Sequence, residues 1–252
     1  MYSKIWLAVF IAALIGLSAV YFLFDIQYNE VALMGTLFLF GTTIIFRIIV
    51  EKALKKMHDI LNINCDVEQF YECLKMVINS KYAGKIYKSI FSLKMIIALI
   101  DMGKYEDAKM QLQSIECNLG KKRIVTLFFC SAKIIYSISQ GNIKEAEENI
   151  DKFAIDIEKY KENKKKYLQY NMVKSSYDMG LHFIKKEYGK CTRYYYYLYK
   201  DAAESWNIRV NAAYKLGVIC NEYHNIKKEK EYFAFVIEHG NNLYITQLAK
   251  KE

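Results

Sequence analysis

The chain has 252 residues, no proline, only 11 glycines and a formal net charge of +9 at pH 7. Average usage would give roughly 12 prolines in this length, and because proline interrupts helix interiors, its absence favours an all-α protein with long helices and short turns. The six cysteines form no CxxC pair and lie at no metal-ligand spacing from a histidine, which argues against a disulfide-rich secreted scaffold and against a zinc module.

Two apolar runs at the start of the chain predict a pair of membrane-spanning helices. Residues 5–24 carry no charge and are long enough, at 1.5 Å per residue, to cross a hydrocarbon core of about 30 Å. The short loop 25–30 leads to a second apolar run, residues 31–50, in which Arg47 is the only charged residue. We expect the long Arg47 side chain to reach the headgroups. Residues 1–50 are therefore predicted to form a transmembrane hairpin.

The charges that flank these spans predict their orientation. The connecting loop contains no Lys or Arg. The basic residues are Lys4 before the first span and Arg47, Lys52, Lys55 and Lys56 at and after the end of the second. The positive-inside bias therefore predicts a multi-pass protein of the cell membrane with both termini in the cytoplasm, and it places the last four basic residues at the cytoplasmic membrane face.

Two other interpretations of the first run stay open. It could be a cleaved signal peptide, because residues 16–19 include small side chains, or it could belong to a buried hairpin of a soluble domain. The length of the uncharged run and the presence of a second apolar run favour membrane anchoring over both.

Residues 51–64 are predicted to be a juxtamembrane linker, and residues 65–252 a helical repeat domain. Asp66, three residues before Gln69, predicts a capping box that opens a helix. Because each repeat of such a domain buries its apolar face only against its neighbours, the two ends need caps. We expect helices within 66–80 and 241–250 to provide them.

Self-comparison of the chain reveals an internal repeat. Segment 103–112 has a glycine, an apolar residue two positions later, an alanine five positions later and an aliphatic residue nine positions later, and segment 141–150 repeats this pattern. An apolar–Gly pair in a predicted helix also occurs twice. The residues predicted to pack the repeats are Gly103, Tyr105, Ala108, Gly141, Ala146, Gly180 and Gly217.

The two patterns are halves of one unit, which resembles the tetratricopeptide repeat (TPR). The resemblance covers roughly residues 89–240 and implies an α-solenoid of degenerate TPR-like helix pairs, with a period longer than the family value of about 34 residues. The units begin near Ser89, Leu127, Val173 and Val210. The chain departs from the family pattern because it lacks the helix-ending proline and has Thr192 and Glu229 where the second helix should carry alanine. A generic stack of helical hairpins is the alternative.

A cluster of tyrosines is the most distinctive local feature of the chain. Consecutive helical residues point in all directions around the helix, so these side chains cannot all be buried. We expect one or two of them to face the concave surface of the solenoid and to bind a partner, since tyrosine is enriched at binding hot spots. The candidates are Tyr194, Tyr195, Tyr196, Tyr197 and Tyr199. Alternatively, they fill core and boundary positions, as tyrosine does elsewhere in this chain.

Lysines at 161, 164, 165 and 166 form a basic cluster. The first interpretation is a solvated helix end, and the second is contact with anionic lipid of the inner leaflet. The sequence contains no recognisable nucleic-acid-binding module, so nucleic acid is not an expected partner.

No catalytic constellation is visible in the sequence, which lacks a Gly-rich phosphate loop, a GxSxG elbow and an HExxH motif. We therefore predict that the chain is not an enzyme and holds no cofactor or metal. The leading hypothesis is a membrane-tethered cytoplasmic adaptor that binds protein or peptide partners through its repeats. The alternative is a sensor-regulator, in which the hairpin perceives a signal and the repeats relay it.

Overall fold

The structure of the chain is a computed structural model that describes residues 41, 44, 48, 51–80, 84–116 and 123–252. The predicted spans 5–24 and 31–50 and the side chain of Arg47 lie outside the described residues, except for positions 41, 44 and 48, which are helical. None of the helices within the described ranges is both long enough and apolar enough to cross a lipid bilayer.

Over these described residues the chain is all-α and contains no strand, which confirms the predicted fold class at that level. Residues 51–62 are helical and are followed by ten further helices. These are α1 Val67–Asn79, α2 Lys85–Asp101, α3 Tyr105–Glu116, α4 Arg123–Ser139, α5 Ile143–Glu158, α6 Lys164–Ile184, α7 Tyr188–Lys200, α8 Trp206–Glu222, α9 Ile226–His239 and α10 Tyr244–Ala249. The chain divides into one compact unit of residues 1–58 with 79–84 and a second of residues 59–78 with 85–252, which we call the helical unit.

The helical unit is built from consecutive helical hairpins. Helices α2 and α3, α4 and α5, α6 and α7, and α8 and α9 pack against each other in pairs, and neighbouring pairs also touch through contacts such as α2 with α4 and α7 with α8. This nearest-neighbour stacking is the arrangement expected of a helical repeat array.

The same left-handed turn joins the two helices of each hairpin. Gly103, Gly141, Lys186 and His224 have φ values of 74°, 67°, 59° and 55°. In the first hairpin, the N–H of Gly103 donates to the carbonyl three residues earlier at 2.9 Å, and the next N–H donates to the carbonyl five residues earlier at 2.8 Å. The other three turns contain the same pair of bonds. This pattern is the Schellman motif, which satisfies carbonyls at the end of a helix.

Asparagine and serine cap the N-termini of several helices. The side chains of Asn142, Asn163, Ser205 and Asn225 each accept a hydrogen bond from the backbone N–H three residues later. The N–H of Gln69 likewise donates to the Asp66 carboxylate at 3.0 Å, as the predicted cap of α1 requires. These caps satisfy N–H groups that have no partner within the helix, so the helix starts are fixed locally.

Helix α4 contributes to two adjoining hydrophobic clusters. Its residues Val125, Phe129 and Ala132 face a core shared with α2 and α3, while Leu127 and Ile134 face a core shared with α5. Because one helix serves both cores, each hairpin depends on its neighbour for burial of its apolar surface.

The C-terminal end of the helical unit bonds to its N-terminal end. The side-chain oxygen of Asn242 accepts a hydrogen bond from the N–H of Val67 at 2.8 Å, and its amide nitrogen donates to Asp66 at 2.8 Å. Next to it, the Asn241 amide donates to the carbonyl of Asn64 at 3.0 Å. The predicted cap helices are therefore both present, but they meet each other instead of closing two separate ends.

Tyr244 adds aromatic packing to the hydrogen bonds that join the two ends, which together we call the end-to-end contact. The ring of Tyr244 lies against Gly103, where a Cβ atom would sit only 2.5 Å from the ring. Tyr244 also packs edge-on against Tyr105, with ring centroids 5.9 Å apart and an interplanar angle of 87°. Glycine at position 103 thus serves two purposes, because it adopts a positive φ and leaves room for the ring.

The substitution Asn242→Ala tests the end-to-end contact. It removes two hydrogen bonds and leaves the N–H of buried Val67 without its acceptor, so we expect the free energy of unfolding to fall by about 1–3 kcal/mol. Asn171→Ala is the matched control, because the Asn171 amide donates only to a carbonyl of its own helix, at 3.0 Å. Thermal unfolding of the full chain measures both variants, and an equal effect of the two would contradict the assigned role of Asn242.

Asp101, at the end of α2, is a desolvated carboxyl group close to the end-to-end contact. Burial raises its pKa to about 7 from an ordinary value of 3.8. Its charge acts on two neighbours, since it adds to burial in raising the pKa of the Cys65 thiol, to about 11, and the pKa of Tyr105. The folded protein therefore keeps Asp101 protonated over a pH range in which the unfolded chain ionises it.

The contribution of Asp101 to the free energy of unfolding should therefore fall as pH rises from about 4 to about 7. Above about pH 7 this contribution should change little, because the group is then ionised in both states. Asp101→Asn removes this ionisation, so its stabilising effect relative to the natural chain should grow from small at pH 4.5 to on the order of 2–4 kcal/mol at pH 8. Thermal unfolding of both chains at the two pH values measures the difference. A difference that does not depend on pH would show that the carboxyl is not desolvated.

Candidate partner-binding groove

The residues predicted to pack the repeats occupy three kinds of position. Ala108 and Ala146 are completely buried on α3 and α5. Gly180 and Gly217 lie where helices approach closely, because a Cβ would come within 2.9 Å of Ile138 at the first and 2.5 Å of Phe233 at the second. The first approach joins neighbouring hairpins, whereas the second joins the two helices of one hairpin.

Gly103 and Gly141 are turn residues, and they differ in their surroundings. Gly103 and the half-buried Tyr105 take part in the end-to-end contact, whereas no atom lies within 4 Å of the position that a Cβ would take at Gly141. Gly141 therefore supplies a left-handed conformation and makes no close packing contact.

The turn geometry changes the alignment of the third hairpin by one residue. Counted from the left-handed residue, Cys191 follows Lys186 by the same five positions that separate Ala108 from Gly103, and Cys191 is completely buried. The sequence comparison had placed Thr192 at this position, which is one residue too far along the chain. Thr192 lies beside the small buried residue and is not its equivalent.

The same shift decides which tyrosines are buried. Tyr195 and Tyr199 are only 3% and 8% exposed, so their side chains belong to the core. Tyr195 faces the core because its equivalents after the turn are buried in the other hairpins. Tyr199 packs against Tyr232 and Phe235 of α9. Tyr194 is half-buried, whereas Tyr196 and Tyr197 are 45% and 56% exposed. The surface candidates are therefore Tyr196 and Tyr197, with part of Tyr194.

Tyr196 borders a groove of about 440 Å³ that three helices form, which we call the α7–α9 groove. Residues of α7, of α8 and of the first turns of α9, including its N-cap, line it together. The lining residues are Gly189, Thr192, Arg193 and Tyr196 from α7, Leu216, Ile219, Cys220 and Tyr223 from α8, and Asn225, Lys228 and Tyr232 from the start of α9. The α7 and α8 residues recur at intervals of three and four, so each set occupies one helix face.

The lining of the groove is basic and aromatic. Arg193 and Lys228 are its charged residues, and no residue of the lining is acidic. Arg193 donates from two nitrogens to the hydroxyl of Tyr197, at 3.2 and 2.9 Å, and its guanidinium carbon lies 5.4 Å from the centre of that ring. These contacts hold the guanidinium at the rim without using a carboxylate, so its charge is available to an anionic partner.

Glutamates of α9 lie near the groove but outside its lining. Glu229 accepts a hydrogen bond from the Asn221 amide at 3.1 Å. Burial raises the pKa of the Cys220 thiol, and the charges of Glu229 and Glu231 raise it further while Lys228 opposes them. Cys220 is therefore a protonated thiol and not an activated nucleophile.

Lys215, the neighbour of the groove residue Leu216 in α8, is held among aromatic rings. Its ammonium nitrogen lies 3.3 Å from the Tyr195 hydroxyl, 4.7 Å from the centre of the Tyr195 ring and 5.7 Å from that of Phe183. Burial lowers its pKa to about 8. The faces of the two aromatic rings interact with this cation in place of a carboxylate. Because Phe183 belongs to α6 and Tyr195 to α7, Lys215 links α8 to both helices of the preceding hairpin.

Histidine and carboxylate side chains meet in pairs in the part of the chain that the structure describes, as His182 and Glu187 do at 2.6 Å. No group of three His, Cys, Asp or Glu side chains there is placed to hold a metal ion. The predicted membrane-face residues Lys52, Lys55 and Lys56 are exposed in the helical segment 51–62, at intervals that place them on one side of it.

No family model matches the chain, and no curated protein and no solved structure matches it either. The resemblance to the tetratricopeptide repeat therefore stays a prediction from the repeat pattern.

The close approach at Gly217 can be tested by substitution. In Gly217→Ala the new methyl group meets the Phe233 ring, so we expect a loss of about 1–3 kcal/mol in the free energy of unfolding. Gly189→Ala is the matched control, because nothing lies within 4 Å of its Cβ position and the helix should be unchanged or up to about 1 kcal/mol more stable. Thermal unfolding measures both variants. Equal stability of the two would rule out tight packing at Gly217.

Proposed function

We propose that the chain is a membrane-tethered cytoplasmic adaptor that binds a partner protein through the α7–α9 groove of a TPR-like helical array. The partner would present a segment with an acidic side chain next to an aromatic or aliphatic one. The single observation that carries this proposal is the exposed Tyr196 beside Arg193 in a groove whose lining contains no acidic residue.

The packing of the helices that line the groove supports this function. Aromatic contacts join its helices: Tyr199 of α7 lies 5.3 Å from Tyr232 and 4.9 Å from Phe235 of α9, and Tyr188 of α7 lies 6.1 Å from Tyr223 at the end of α8, measured between ring centres. Binding sites on packed helices lose little conformational entropy when a partner arrives. The groove is therefore suited to recognition of a flexible segment of another protein.

The residue types of the groove also support it. Tyrosine and arginine are the residues most often found at hot spots of protein interfaces, where a large side chain fills a pocket and a polar tip finds a partner. Arg193 comes from α7 and Lys228 from α9, so the groove offers two cationic side chains to carboxylates of a bound segment. Leu216 and Ile219 are only 2% and 3% exposed, so the exposed rings of Tyr196 and Tyr223 would cover its apolar side chain.

The predicted transmembrane hairpin supplies the tether in this proposal. Holding the array at a membrane raises its effective concentration toward a membrane protein, so an interface of modest affinity suffices. The exposed Lys52, Lys55 and Lys56 next to the hairpin fit a cytoplasmic, anionic membrane face. The adaptor therefore acts by assembly and involves no bond chemistry.

A photoreactive phenylalanine derivative in place of Tyr196, in the full chain expressed in its native cells, tests the groove. We expect a discrete crosslinked protein, and we expect Arg193→Ala to weaken its capture by about 10- to 30-fold, as for a typical hot-spot residue. Quantitative mass spectrometry of the crosslinked product measures both results.

The same derivative in place of Tyr87 is the control, because Tyr87 is 62% exposed on α2 and is not part of the groove. Crosslinking of the same proteins from both positions, or capture at position 196 that does not respond to Arg193→Ala, would contradict binding in the α7–α9 groove.

A further inference from the structure

One face of helix α6 is exposed and combines apolar and basic side chains. Leu168 and Met172 are 65% and 68% exposed, and Lys164 lies one turn before Leu168. The spacing of four residues places the three side chains on the same side of the helix. We call this surface the Lys164–Met172 face.

The opposite side of α6 anchors the helix to the protein. Tyr167, Tyr170, Val173 and Tyr177 pack against the cluster formed by α4 and α5. Phe153 of α5 meets Tyr177 edge-on, with ring centroids 5.4 Å apart. The Lys164–Met172 face is therefore not a core surface, and its two large apolar side chains stay open to solvent in the described part of the chain.

Three lysines occupy the first turn of α6, namely Lys164, Lys165 and Lys166. This is an unfavourable place for positive charge, because the N-terminal end of a helix already carries the positive end of the helix dipole. In the described residues no carboxylate pairs with any of the three, whereas Lys161 lies 3.6 Å from Glu158 and so is partly compensated. A residue choice that opposes local stability indicates a role outside the fold.

Charge and apolar exposure together define the surface that would cover this face. We propose that the Lys164–Met172 face docks on a lipid bilayer that contains anionic headgroups. The ammonium groups of Lys164 and Lys165, which lie on or next to this face, would contact phosphates at the membrane surface. Leu168 and Met172 would enter the boundary between headgroups and acyl chains. A nucleic acid would satisfy the lysines but would leave Leu168 and Met172 in water.

This inference goes beyond the proposed adaptor function, because it assigns a second surface to a second partner. The face carries few charges and only two large apolar residues, so its own binding is weak and reversible. Tethering by the predicted hairpin would make such weak docking effective. Docking would then restrict how the helical unit moves above the membrane and leave the α7–α9 groove for a protein.

The test uses the full chain in lipid nanodiscs. Amide hydrogen exchange of residues 161–175 should slow by about threefold or more in discs with about 30% phosphatidylglycerol compared with discs of phosphatidylcholine alone, and about 0.5 M salt should remove most of the difference. The triple substitution Lys164→Gln, Lys165→Gln and Lys166→Gln should abolish it, as should Leu168→Gln with Met172→Gln. Substitution of three exposed lysines elsewhere, Lys227→Gln, Lys230→Gln and Lys250→Gln, is the matched control and should preserve it.

Equal exchange in neutral and anionic discs would overturn the proposal. Protection by added RNA or by an acidic protein, with none from lipid, would also overturn it and assign the face to that partner. The tether has a separate readout, because a chain that carries the predicted spans resists extraction from the discs by high salt. A chain that is extracted, yet is protected at 161–175 by anionic vesicles, would support the face and reject the tether.

Discussion

The left-handed turn between the helices of each hairpin is the constraint on which the rest of the helical unit depends. Because this turn sets how the second helix is rotated relative to the first, the ninth residue after it is buried in every hairpin: Leu112, Ile150, Tyr195 and Phe233. Two backbone hydrogen bonds stabilise each turn, and they are present whether or not the left-handed residue is glycine. The hairpins are thus alike in geometry even where their sequences differ.

The sequence predicts the helical class and the first two hairpins well, because Gly103 and Gly141 mark their turns directly. It misleads at the third hairpin, where Lys186 takes the left-handed conformation and a glycine three residues later sits inside α7. Aligning the third hairpin one residue too late would place Tyr196 in the core, whereas in the structure Tyr195 is buried and Tyr196 is exposed. The α7–α9 groove was not predictable from periodicity, because its lining comes from three helices and includes Arg193 and Lys228, which look like ordinary surface residues in the sequence.

The contact between Asn242 and Val67 illustrates a second limit of sequence reasoning. The two residues lie 175 positions apart, and neither belongs to a repeated pattern that would point to the other. A single polar side chain that accepts a backbone N–H leaves no periodic signal, even though loss of that bond would expose an unsatisfied buried group. Local rules correctly predicted that both ends need covering, but only the tertiary arrangement shows that each covers the other.

The junction of the two ends also limits how such a protein can change over generations. An open stack of helical hairpins can gain or lose a unit by duplication or deletion, since only neighbouring units touch. Here an inserted hairpin would carry Asn242 and Tyr244 away from Val67 and Gly103, and a deleted one would make the ends overlap. The contact between the two ends is therefore compatible with one number of hairpins, and it tolerates substitutions on existing helices better than the gain or loss of a hairpin.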